Sequence, residues 1–102
     1  MTAADDAAWL KRQRWETFDV GLALYENTDA NETFVPFKVI EVLTGISRPV
    51  VRRACRQLAR RGLAAYGKGL WSEEGGLAGA GYGITEAGDA AWKVLFDEED
   101  AR

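Results

Sequence analysis

The chain reads as an α+β protein of mostly α class: a three-helix core, a β-hairpin after the third helix and a closing C-terminal helix. Three observations predict it. Apolar residues recur at helical spacing in the first quarter of the chain and again near its end. Gly45 and Gly62 punctuate two helical stretches in the middle. Two short strand-like runs flank a glycine-rich segment. With 102 residues and 47% apolar content, including four Trp, the expectation is a single domain over 1–102, with loose tails at 1–4 and 97–102.

Taken in order, Trp15, Phe18, Leu22 and Tyr25 fall at spacings of three and four, which predicts one helix from about Asp5 to Tyr25. Trp9 and Leu10 lie in its first turns, and Lys11, Arg12 and Arg14 on its solvated sides. The segment from Glu26 to Thr33 is dense in residues that hydrogen-bond their own backbone, so it reads as a loop. Thr33-Phe34-Val35 fits a very short strand, and Pro36 fits the first position of a second helix, where its missing N–H costs nothing. That helix runs to about Leu43 and buries Val39, Ile40 and Leu43, with Gly45 ending it in the left-handed conformation. Ser47 serves as N-cap and Pro49 lies in the first turn of a third helix, which runs to Arg61 and stops at Gly62. Leu63 to Tyr66 and Gly81 to Ile84 form the hairpin. Thr85 caps a last helix from Glu86 to about Phe96.

Charge is sorted within this layout. The net charge is −3, yet between Val42 and Ser72 there are seven basic residues (Arg48, Arg52, Arg53, Arg56, Arg60, Arg61, Lys68) and no acid. On the third helix Val51, Ala54, Cys55 and Leu58 share the inner face, while Arg48, Arg52, Arg53, Arg56 and Arg60 fill the remaining arc. Like charges four residues apart (48/52, 52/56, 56/60) each destabilise a helix by a few tenths of a kcal/mol, roughly. Helix stability did not select them. Arginine clamps phosphate and binds guanine bidentately, and Ser47 with the helix N-terminus can donate to a phosphate oxygen.

Two helices joined by a short glycine turn, the second basic, followed by a hairpin, match a winged helix-turn-helix. The segment Thr44-Gly-Ile-Ser-Arg-Pro-Val-Val-Arg-Arg-Ala-Cys-Arg-Gln-Leu-Ala-Arg-Arg-Gly-Leu63 resembles the recognition-helix segment of MarR-like winged-helix regulators, and Tyr82-Gly-Ile-Thr-Glu-Ala-Gly88 is similar to the end of their wing. The resemblance covers about Pro36 to Phe96. It implies double-stranded DNA as partner, transcription regulation as function, and contact by Ser47, Arg48, Pro49, Arg52, Arg53 and Arg56, with Arg60 and Lys68 at the margin. The wing departs from the family pattern, since Lys68, Glu73 and Glu74 stand amid glycines where an acid-plus-arginine motif is usual.

Other classes fit less well. Gly62 to Gly69 approaches a phosphate loop, but Gly69 stands where a hydroxyl must hold Mg²⁺, and the segment follows a helix instead of preceding one. With no histidine and one cysteine, the usual zinc sites and catalytic triads are excluded, so neither an enzyme nor a cofactor is expected. No apolar run suits a secretory signal or a membrane span, and the expectation is a cytoplasmic protein. Trp9, Trp92 and Phe96 lie on the first and last helices, where they fit either a homodimer contact or packing within one chain. A protein partner at the basic face is the alternative to DNA.

Overall fold

The structure is a computed structural model that describes residues 2–30, 32–71 and 77–100. Its elements are α1 (Ala3–Lys11), α2 (Trp15–Asn27), α3 (Phe37–Thr44), α4 (Arg48–Arg61), β1 (Ala64–Trp71), β2 (Leu77–Ile84) and α5 (Glu86–Asp100).

The single helix expected over residues 5–25 is two. α1 stops at Arg12 and α2 restarts after Arg14, whose backbone is extended (ψ 153°). No glycine or proline marks the break; the Gln13 side chain instead donates to the Trp9 carbonyl at 3.0 Å, capping the end of α1. Tertiary packing explains it. α1 lies along α5, with Ala7 and Leu10 fully buried in the core that also holds Ala91 and Leu95, whereas α2 packs on α3 and α4. Within α2 the fully shielded positions are Thr17, Val20, Gly21, Ala23 and Leu24, and Trp15 is 64% exposed.

Of the tails expected at residues 1–4 and 97–102, residues 3–4 and 97–100 are helical, and 1, 101 and 102 lie outside the described residues. Thr2 accepts a hydrogen bond from the Asp5 amide at 3.2 Å and returns its own amide to the Asp5 carboxylate at 3.2 Å, a capping box that starts α1. Those hydrogen bonds hold the Asp5 carboxyl below its usual range. At the other end α5 continues to Asp100, with Lys11 of α1 paired to Glu98.

α3 begins at Phe37, with Pro36 as its N-cap, and buries only Ile40; Val39 and Leu43 are 37% and 46% exposed, contrary to the periodicity. Eight residues make barely two turns, so a single inward position is enough to seat the helix. Gly45 (φ 72°) and Gly62 (φ 85°) end α3 and α4 in the left-handed region, as the sequence requires. Val51, Ala54, Cys55 and Leu58 are buried as expected.

β1 and β2 pair antiparallel in the register Ala64↔Ile84, Tyr66↔Tyr82 and Lys68↔Ala80. The short strand expected at Thr33–Val35 is reduced to one bridge, in which Val35 and Tyr82 exchange backbone hydrogen bonds of 2.9 Å each way. Glycine makes that approach feasible. A Cβ on Gly81 would collide with the Val35 carbonyl, and one on Gly83 with the Thr33 carbonyl, so these two glycines serve packing at the wing base. Thr85 accepts from the Gly88 amide at 3.0 Å, starting α5, and donates to the Gly62 carbonyl at 2.6 Å.

Candidate nucleic-acid interface

α4 is held from inside. Its four buried positions pack on α2 and β1, which turns the opposite arc to solvent. On that arc the arginines divide by partner. Arg48 donates from Nε (3.1 Å) and a terminal nitrogen (2.9 Å) to one carboxylate oxygen of Glu41 on α3. Arg61 donates to Asp6 on α1 at 3.0 Å, with the side chains 21% and 8% exposed, and its guanidinium lies 5.6 Å from the Trp9 ring centre. Among the described residues no carboxylate pairs with Arg52, Arg53, Arg56 or Arg60, all of them exposed. Pro49, Arg52, Arg53, Arg56, Gln57 and Arg60 line one shallow groove along the helix.

Ser47 is the α4 N-cap by backbone (ψ 152°), but its side chain makes no capping bond, which leaves the hydroxyl exposed and able to donate outward. Pro49 is exposed in the first turn. Lys68 stands in β1 opposite Ala80, and its side chain, like Glu73 and Glu74, lies outside the described residues. The face therefore gathers Ser47, Pro49, Arg52, Arg53, Arg56 and Arg60 on one element, while Arg48 is already engaged.

Of the two readings open for Trp9, Trp92 and Phe96, the one at a subunit contact is corrected for Trp92. Trp92 is 1% exposed, with Phe18 edge-on at 4.9 Å and Tyr25 stacked at 6.1 Å, so it belongs to the core of its own chain. Phe96 packs on Tyr25 (5.6 Å) and Trp92 (6.0 Å) and stays half-buried, as does Trp9.

Two features escaped the sequence. The Asp6–Arg61 pair joins residues 55 positions apart, and no local pattern encodes it. An aromatic run, Phe37, Tyr82 and Tyr66, connects α3 to the wing base with ring centres 5.8 and 5.5 Å apart. The tyrosines at facing strand positions were its one visible sign. Among the described residues no three His, Cys, Asp or Glu side chains gather at metal-binding distance, and no helix is long and apolar enough to cross a membrane.

The element order, the α3–Gly45–α4 turn and the hairpin define a winged helix-turn-helix. Solved structures agree on the fold. A MarR family regulator from Neisseria meningitidis superposes with a TM-score of 0.60 at 21% identity, over 89% of this chain and 58% of its own. A presumed DNA-binding protein from Ralstonia eutropha JMP134 gives 0.62 at 21% identity, over 81% of this chain and 98% of its own. A point mutant of S. aureus MepR gives 0.61 at 17% identity, over 98% and 69%. No family model and no curated protein matches the chain by sequence. The fold is thus a MarR-like winged helix, built here on a chain spanning 58% of the Neisseria regulator's length.

Proposed function

We propose that this protein binds double-stranded DNA and acts as a small transcriptional regulator, with the N-terminal half of α4 in the major groove. One observation carries the proposal: four exposed arginines, Arg52, Arg53, Arg56 and Arg60, share one helical arc and have no carboxylate partner among the described residues. A solvated face normally mixes both signs, whereas unopposed guanidinium groups on a rigid helix match phosphate and guanine. Proteins that share the fold, a MarR family regulator and a presumed DNA-binding protein, support the same function. In a homodimer, which would double the contacts, Trp9 and Phe96 remain available on α1 and α5.

The test is binding of a duplex in about 50 mM salt, where contacts to phosphate are strongest. Wild-type protein should bind and Arg52→Ala plus Arg56→Ala should weaken it by tenfold or more, roughly. An unchanged affinity in the double variant, or capture of an acidic protein at this face with no affinity for duplex, would overturn the proposal.

A further inference from the structure

The four unopposed arginines are not equivalent. Arg52 places its guanidinium carbon 5.6 Å from the centre of the Phe37 ring, within cation–π range. Phe37 is itself stacked on Tyr82, with ring centres 5.8 Å apart and planes 29° from parallel, and Tyr82 meets Tyr66 edge-on at 5.5 Å. The backbone fixes this run from below. Val35 and Tyr82 exchange two hydrogen bonds of 2.9 Å, and Pro36, with φ −71°, spans the one residue between Val35 and Phe37. Phe37 is therefore held by its chain and by its ring, and it offers Arg52 a rigid platform.

Among the described residues, Arg53, Arg56 and Arg60 have no aromatic ring beneath them, and Arg48 is engaged by Glu41. Reading a guanine edge needs the guanidinium plane fixed, because two parallel hydrogen bonds must form together; neutralising a phosphate needs only a nearby charge. A side chain already ordered in the free protein loses less freedom on binding. Building on the DNA-binding proposal above, we propose that Arg52 is the residue that discriminates base sequence, with Phe37 as its positioning residue, while Arg53, Arg56 and Arg60 neutralise phosphate.

The experiment uses the full chain, a duplex selected from a random library with the wild-type protein, and a scrambled duplex of the same length. The readout is the ratio of the two affinities, together with the salt dependence of each. Arg52→Lys should lower the ratio about tenfold, since lysine cannot form the bidentate pair. Phe37→Leu should lower it about threefold through Arg52, and Phe37→Tyr should restore it, because the ring face is what matters. In an Arg52→Ala background Phe37→Leu should have no further effect, an outcome that a merely structural role for Phe37 would not produce. A second measurement needs neither DNA nor the leucine variant: the Arg52 δ-methylene protons of the free protein should show an upfield ring-current shift that those of Arg56 lack. Absence of that shift, or Phe37→Leu and Arg52→Ala effects that multiply independently, overturns this inference alone. Failure of the wild-type protein to bind any duplex overturns the DNA proposal beneath it.

Discussion

Arg60→Ala and Arg61→Ala delete the same charge from adjacent positions, and the structure assigns them opposite consequences. Arg61 lies 3.0 Å from Asp6, whose side chain is 8% exposed, and covers the Trp9 ring at 5.6 Å. Removing it strands a nearly buried carboxylate without a cation. A fully buried pair broken this way costs about 3–5 kcal/mol, and the partial solvation of Arg61 reduces that to about 2 kcal/mol. Loss of the cation–π contact adds about 0.5 kcal/mol. In a domain of this size that lowers the melting midpoint by roughly 10 °C or more. Arg60 is exposed with no acidic partner among the described residues, so its removal should change stability by less than about 0.5 kcal/mol. On DNA the order reverses. Arg60→Ala should reduce the magnitude of the log affinity against log salt slope by about 0.9, one phosphate contact, and Arg61→Ala should leave the slope alone. Thermal melts followed by circular dichroism, and duplex binding by anisotropy at four or five salt concentrations, measure both quantities. Adding Asp6→Asn to Arg61→Ala should recover part of the lost stability. Equal melting midpoints for the two single variants, or equal salt slopes, would refute the division of α4 into a buried anchor and a free arc.

Burial pushes the Cys55 thiol from 9.0 up to about 12, so in the folded protein it should resist alkylation at pH 8 and react only on unfolding. Because the folded value is raised, its contribution to stability is complete below pH 9 and is lost between 9 and about 12, at about 1.4 kcal/mol per pH unit in urea titrations; partial burial shifts Tyr82 in the same direction. Gly81→Ala drives a Cβ into the Val35 carbonyl and breaks the two 2.9 Å bonds of the Val35–Tyr82 bridge, at a cost of about 2–3 kcal/mol by chemical denaturation. Glu41→Gln releases Arg48 from its 2.9 Å pair and should steepen the salt slope by about 0.9 while tightening duplex binding at low salt.

Features set by neighbouring residues were legible in the sequence. Gly45 and Gly62 announced both helix ends because few other residues adopt positive φ, and the inner face of α4 followed from a periodicity repeated over 14 residues. The break between α1 and α2 was not legible, since Arg12, Gln13 and Arg14 are tolerable helix formers and packing of α1 on α5 overrides them. Burial on α3 was misjudged because a helix of eight residues samples too few turns for a stripe to be meaningful. The arginines of the candidate face were visible as a charge pattern. What separates them was hidden: Glu41, Asp6 and Phe37 approach Arg48, Arg61 and Arg52 only through the tertiary fold.

The junction at Gly62 has a mechanical consequence. There the Leu63 amide donates to the Leu58 carbonyl at 2.9 Å, the Thr85 hydroxyl donates to the Gly62 carbonyl at 2.6 Å, and Arg61 is tied to Asp6. Thr85 and Asp6 of α1 thus grip the C-terminal end of α4 from outside the helix, while its other end is joined to α3 by the Gly45 turn and the Arg48–Glu41 pair. The helix, 14 residues and about 20 Å long, is fastened at both ends and along its buried side, behind its cationic arc. Each degree of tilt about the Gly62 end moves Ser47 by about 0.35 Å, and Arg60, two residues from Gly62, scarcely at all. In the proposed complex the angle of α4 would therefore depend on Thr85 and Asp6 behind the arc as well as on Glu41 before it, and substitutions at the first two should retune the arginine face without altering any residue on it.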